Sequence, residues 1–174
     1  MSKLPLITPP EYTVLVHVGA SALLADVRAG KHTFFVDEPV EVGGEDKGPT
    51  PYDMLLSALG TCTAITLRLY AKNKQWPLEA IEVRLRHQRV HEQDCEHSEE
   101  PGYMLDEVHK ELRLLGPLTT EQRQRLHLVS EKCPVQKTLT SGTLRIITTI
   151  LNGNLDNSVA PSAHASVSET STTL

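Results

Sequence analysis

At 174 residues the chain has room for one domain with its own core, and its 39% hydrophobic and 22% charged content is that of an ordinary globular protein. A net charge of −5, with no concentrated basic block, makes nucleic acid and anionic membranes electrostatically poor partners. The opening Met1-Ser2-Lys3-Leu4-Pro5 begins no apolar run of signal-peptide length, and no stretch offers the roughly 20 uninterrupted apolar residues of a membrane span. A cytoplasmic location is expected, with no membrane or nucleic-acid partner; cysteines there stay reduced unless their chemistry uses oxidation.

The pattern predicts three short strands first, over residues 12–18, 22–28 and 32–36, separated by turns at Gly19-Ala20-Ser21 and Ala29-Gly30-Lys31. Asp37-Glu38-Pro39 ends the third strand, and the glycine-rich run from Gly43 to Pro49 reads as a flexible loop without the spacing of a phosphate cradle. A helix then starts sharply, with Thr50 suited to the N-cap, Pro51 to the first helical position and Asp53 to a capping box. From Met54 to Leu69 apolar or small residues cover nearly its whole circumference, as in a helix buried in a core or an interface, and Trp76-Pro77 stops it.

Ile81, Val83 and Leu85 alternate with Glu82, Arg84 and Arg86, which predicts a half-buried strand over residues 81–91 with a solvated charged face that also carries Arg89. After a polar loop at 94–102 the alternation resumes over 104–115 through Val108, Leu112 and Leu114, completing a long hairpin. Thr119 and Gln122 form a second capping box, opening a helix to about residue 132 whose apolar stripe carries Leu126, Val129 and Cys133. Pro134 breaks or restarts that helix, and residues 143–151 read as a final strand. The domain is expected to span residues 1–151, leaving a disordered Ser/Thr/Ala-rich tail at 152–174. This order is an α+β arrangement in which antiparallel sheet encloses two helices.

The chemistry-bearing residues are Cys62 and Cys133, one on each helix. Two readings stand. In the first, both are small buried hydrophobes. Alternatively they form a redox pair in which one thiolate takes an oxygen from a peroxide and the second thiol condenses with the resulting sulfenic acid. The second reading requires the two helices to pack together, which burial of both apolar stripes would achieve. Cys62 lies too far along its helix for the dipole to help, so an activating cation must come from elsewhere, with Arg28, Lys31 and His32 on the N-terminal hairpin as candidates. Cys133 suits the N-cap position before Pro134, where backbone donors are unpaired.

The run from Gly48-Pro49-Thr50-Pro51-Tyr52-Asp53 through Gly60-Thr61-Cys62-Thr63, followed by Cys133-Pro134-Val135, resembles the OsmC/organic hydroperoxide resistance family, with the likeness extending over residues 12–150. The resemblance implies an intertwined homodimer whose antiparallel sheets wrap two central helices. It also implies a thiol peroxidase acting on organic hydroperoxides, with Cys62 attacking, Cys133 resolving and a lipoyl protein or another dithiol as reductant. Characterised peroxidases of that family carry a glutamate directly after the helix-start proline, paired with an arginine from the N-terminal hairpin. Here that position is Tyr52, with Asp53 one place later, and Arg28 and Lys31 are the nearest candidates for the base. The run from Ala29 to Gly44 resembles a branch of the family in which this charge network is altered. A non-catalytic protein holding a hydrophobic small molecule near Cys62 is the alternative on the same fold.

Other constellations are weaker. His91, Asp94, Cys95 and His97 share one polar loop, but their spacing matches no standard zinc site, and no metal or cofactor is expected. Ser57 lacks both a nucleophile-elbow motif and a nearby base. A homodimer is also expected on physical grounds, because long hairpin strands and an all-round apolar helix exceed what a chain this short covers alone.

Overall fold

The structure, a computed structural model, describes residues 14–20, 22–91 and 104–148. The polar loop containing Cys95 and His97, the segment 149–151 and the predicted tail at 152–174 lie outside the described residues.

Three strands open the chain: β1 (Val14–Val18), β2 (Ala25–Ala29) and β3 (His32–Val36). They form an antiparallel meander in the order β1-β2-β3, with Ala29 facing His32 across the two-residue turn Gly30-Lys31. The strand residues are mostly β-branched or aromatic, which suits a pleated surface.

The loop after β3 is not the flexible segment that its glycine content suggests. Asp37 is buried, and its carboxylate accepts backbone N–H bonds from Glu38 (2.9 Å), Glu45 (3.1 Å) and Lys47 (3.1 Å). Its own N–H donates to the Pro49 carbonyl at 3.1 Å, so both ends of the loop are tied to one residue. Gly44 is required by this closure, since a Cβ there would lie 1.8 Å from the Glu38 carbonyl oxygen. Burial opposes the Asp37 carboxylate, but the three N–H donors and the Lys47 charge outweigh it and hold the carboxyl below the usual aspartate range.

Helix α1 (Pro51–Asn73) begins as the sequence predicts. Asp53 N–H donates to Thr50 Oγ1 (3.1 Å), while Thr50 N–H and Oγ1 both donate to the Asp53 carboxylate (3.0 and 2.8 Å). The helix buries one stripe, Leu59, Gly60, Thr63, Leu67 and Ala71, and leaves Ile65 and Leu69 exposed on another face. By length and average apolarity α1 is long enough to cross a membrane, a property that a count of uninterrupted apolar residues does not predict. Its buried stripe is instead committed to protein contacts, and Arg68 on the same helix donates to the Leu78 and Glu79 carbonyls.

Strands β4 (Ala80–His91) and β5 (Met104–Leu115) pair over their full length, Ala80 with Leu115 and His91 with Met104. Their exposed face carries the expected charges, with Glu82 paired to Arg84 (2.7 Å) and to Arg113 (3.3 Å). These exposed pairs contribute little to stability. Helix α2 (Thr120–Ser130) starts at the Thr119–Gln122 capping box, and after Cys133 the chain restarts as the short α3 (Pro134–Thr140). The core forms where α1, α2 and the wide end of the hairpin converge: Leu67, Ala71, Leu78, Leu118, Leu126 and Val129.

The predicted final strand is not found in its described part. Residues 143–148 join no ladder, and Ile146 and Ile147 are 82% and 80% exposed. A strand-prone sequence makes a strand only where a neighbouring edge satisfies its backbone, and this chain brings none to it among the described residues.

Candidate active site

Packing of α1 against α2 and α3 brings Cys62 and Cys133 into contact. Both are free thiols: Cys62 is half-buried, Cys133 is 0% exposed, and Cys62 is among the groups that favour the anionic form of Cys133. Cys62 sits next to the buried stripe of α1, one residue before Thr63, which faces Cys133 directly. Cys133 is the N-cap of α3, with φ −63° and ψ 141°, and Pro134 fills the following position.

Four groups converge on the Cys133 sulfur. Thr63 Oγ1 lies 3.5 Å away, and the Gln136 backbone N–H donates to Sγ at 3.3 Å. The Cys62 thiol and the Lys110 ammonium complete the set. Burial opposes the thiolate, but these four interactions together outweigh it and place the Cys133 thiol below the ordinary cysteine value. Thr63 is a shared partner. Its hydroxyl lies within donor reach of both the Leu59 carbonyl (2.8 Å) and the Cys133 sulfur (3.5 Å), and its single proton serves one at a time.

Lys110 was not singled out by sequence reasoning. Its Nζ donates to the Ser130 carbonyl (3.1 Å) and to Gln136 Oε1 (2.6 Å). A signal was available, because Lys110 occupies the same row of β5 as Leu112 and Leu114, which pack on the core. A lysine in an inward-facing row needs a polar partner, and here the Cys133 loop supplies it.

The other candidates are placed differently. Arg28 lies on β2 and Lys31 in the β2–β3 turn, and neither side chain has an ion pair among the described residues. Within one chain they are not among the groups acting on Cys133. The Asp53 carboxylate is engaged by the Thr50 hydroxyl and then the Thr50 N–H, which hold it below the usual aspartate range, and no base pairs with it among the described residues. Tyr52, where the resembled peroxidases carry glutamate, stacks on His87 with ring centroids 4.5 Å apart and planes 19° from parallel. Asp106 then binds both His87 Nε2 (2.8 Å) and Arg89 Nε (3.2 Å). The altered position is therefore filled by an aromatic and charged cluster of its own.

An open groove of about 420 Å³ runs between α1 and β4, lined by Leu56, Gly60, Thr61, Ile81, Val83 and Leu85 among others. It lies on the face of α1 that carries Thr61 rather than Cys62.

Comparison with known proteins agrees with this architecture. The family model described as OsmC-like protein matches residues 44–148, a span that includes both cysteines. The structure resembles an OsmC-like protein from Mycoplasma pneumoniae (20% identity, TM-score 0.58, covering 76% of this chain and 89% of that one). It also resembles the organic hydroperoxide resistance protein OsmC from Legionella pneumophila (17% identity, TM-score 0.54, 74% and 90% covered) and OhrB of Bacillus subtilis (17%, 0.52, 74% and 90%). No curated protein sequence matches the chain significantly. With the family model spanning well over half the chain and the fold shared with these structures, the chain belongs to the OsmC-like protein family.

Proposed function

We propose that the protein is a thiol peroxidase for organic hydroperoxides, acting in a reducing, cytoplasmic setting, with Cys62 as the attacking and Cys133 as the resolving thiol. The placement of two free thiols side by side, with Cys133 3.5 Å from the Thr63 hydroxyl next to Cys62 in the chain, is the observation that carries this reading. The names of the Legionella and Bacillus relatives point to the same substrate class. The Cys62 thiolate attacks the terminal peroxide oxygen, the O–O bond breaks, and the departing alkoxide takes a proton to become the alcohol. The Cys133 thiolate then attacks the Cys62 sulfenic sulfur; the S–S bond forms, the S–O bond breaks and hydroxide leaves as water. An external dithiol, a lipoyl protein or similar, returns the pair to thiols.

Mixing the reduced protein with stoichiometric cumene hydroperoxide should consume two thiols and yield a Cys62–Cys133 disulfide on peptide mapping. Retention of both thiols would overturn the reading. In that event the α1–β4 groove favours a non-catalytic binder of a hydrophobic small molecule, which would bind without thiol loss.

The same proposal includes a homodimer. Val16 on β1, Ile65 and Leu69 on α1, and Ile146 and Ile147 after α3 are all exposed in the single chain, apolar side chains that a partner would take out of water. A second chain would cover these faces, supply the edge that residues 143–148 lack, and allow Arg28 or Lys31 of one chain to approach Cys62 of the other. Light scattering should give twice the chain mass, and a monomeric value would count against the assembly.

A further inference from the structure

We propose that Lys110 is a positioning residue for the resolving thiol: anchored by Ser130 and Gln136 on either side of Cys133, its ammonium keeps the Cys133 sulfur in the anionic form that attacks oxidised Cys62. The inference rests on the peroxidase reading and assigns the cation that reading requires to a residue outside the N-terminal hairpin.

The geometry is built for this role. Ser130 and Gln136 stand three residues before and three after Cys133, and Lys110 Nζ holds both, at 3.1 and 2.6 Å. Gln136 works in two directions: its side-chain oxygen fixes the ammonium, and its backbone N–H donates to Cys133 Sγ at 3.3 Å. Lys110 forms no salt bridge among the described residues, so no carboxylate in contact cancels its charge. The ionisable groups acting on the pair are Cys62 on the sulfur, Glu131 on the ammonium, and Lys110 and Cys133 on each other. Desolvation pushes the Lys110 ammonium below the usual lysine value, while Cys133 and Glu131 push the other way. A thiolate at Cys133 thus recovers part of what burying the ammonium costs, and the interaction is reciprocal.

The consequence for the reaction follows from thiol chemistry. Only the thiolate attacks a sulfenic sulfur, and an ordinary cysteine is just a few per cent thiolate near neutral pH. Each unit by which a cation lowers the thiol pKa raises the thiolate population about tenfold until ionisation is nearly complete. A competing role exists for Lys110, since a lysine that bonds the last carbonyls of α2 stabilises the helix terminus without touching the chemistry. That role predicts lower stability and an unmoved Cys133.

The two are separated by titrating Cys133 through its thiolate absorbance in a protein carrying Cys62→Ser and Cys95→Ser, where it is the sole thiol. Lys110→Met should raise the Cys133 pKa by about one unit, a roughly tenfold loss of thiolate at neutral pH, and Lys110→Arg should stay near the parent value. Gln136→Glu keeps the shape, pairs a carboxylate with Lys110, and should shift Cys133 in the same direction as Lys110→Met. In the protein with both catalytic cysteines, Lys110→Met should slow conversion of the Cys62 sulfenic acid to disulfide about tenfold at neutral pH, with the difference vanishing in alkali. An unmoved Cys133 titration in folded Lys110→Met, or in Gln136→Glu should the methionine variant not fold, would overturn the proposal. The titration needs no peroxide, so it decides the Lys110–Cys133 link separately from the thiol count that decides the peroxidase reading.

Discussion

Replacing Cys133 with serine is expected to leave a protein that consumes one equivalent of organic hydroperoxide and then stalls. Cys62 still reacts, so one thiol is lost rather than two, and its sulfenic acid persists long enough to be captured by dimedone and weighed by mass spectrometry. Dithiol-driven turnover should fall by about a hundredfold or more, the scale expected when one member of a covalent catalytic unit is removed. Cys62→Ser should lose no thiol to peroxide at all. The asymmetry tests the assignment of roles. Cys62 is the half-buried thiol and Cys133 the fully buried one, so a peroxide reaches Cys62 with less rearrangement. The donors and the lysine gather on Cys133, as suits a thiol that must be anionic but not approached by substrate. Were Cys133→Ser fully inactive and Cys62→Ser reactive toward one equivalent, the roles would be reversed.

The placement of the two cysteines was partly legible in the sequence. The capping boxes at Thr50 and Thr119 place the helix starts because the required side chains stand at fixed short offsets from the cap. The alternation over Ala80–His91 and Met104–Leu115 gives the hairpin to within a residue, because one buried face forces a period of two. Cys133 as an N-cap follows from the proline after it. What stayed hidden depends on distant partners. The loop after β3 looks flexible by composition, yet Asp37 fixes it through donors eight and ten residues away. Residues 143–148 read as a strand but find no edge to join among the described residues, a dependence that no local pattern records. Lys110 stands in the apolar row of β5, where an interruption invites dismissal as a solvated charge; only the packing of α2 and α3 over that row shows what the ammonium faces.

Leu126→Ala is the substitution expected to cost most in stability, about 2–5 kcal/mol, measured by urea unfolding. Leu126 is 0% exposed and lies with Val129 against Leu67 and Ala71 of α1, so truncation opens a cavity at the seam between the two helices. That seam also fixes the proposed site. Ser130 ends α2 and Cys133 follows it after a short turn, so the position of the resolving sulfur is set by how α2 docks on α1. A looser seam lowers the effective concentration of Cys133 at Cys62 without altering either thiol. Disulfide formation after peroxide should therefore slow under conditions where Leu126→Ala remains folded, while the first oxidation at Cys62 keeps its rate and a larger share of sulfenic acid is open to dimedone. A variant that lost stability yet closed the disulfide at the parent rate would show that the two sulfurs are held together by the α1–α3 contact alone. The core between α1 and α2 would then support the fold and have no part in the chemistry.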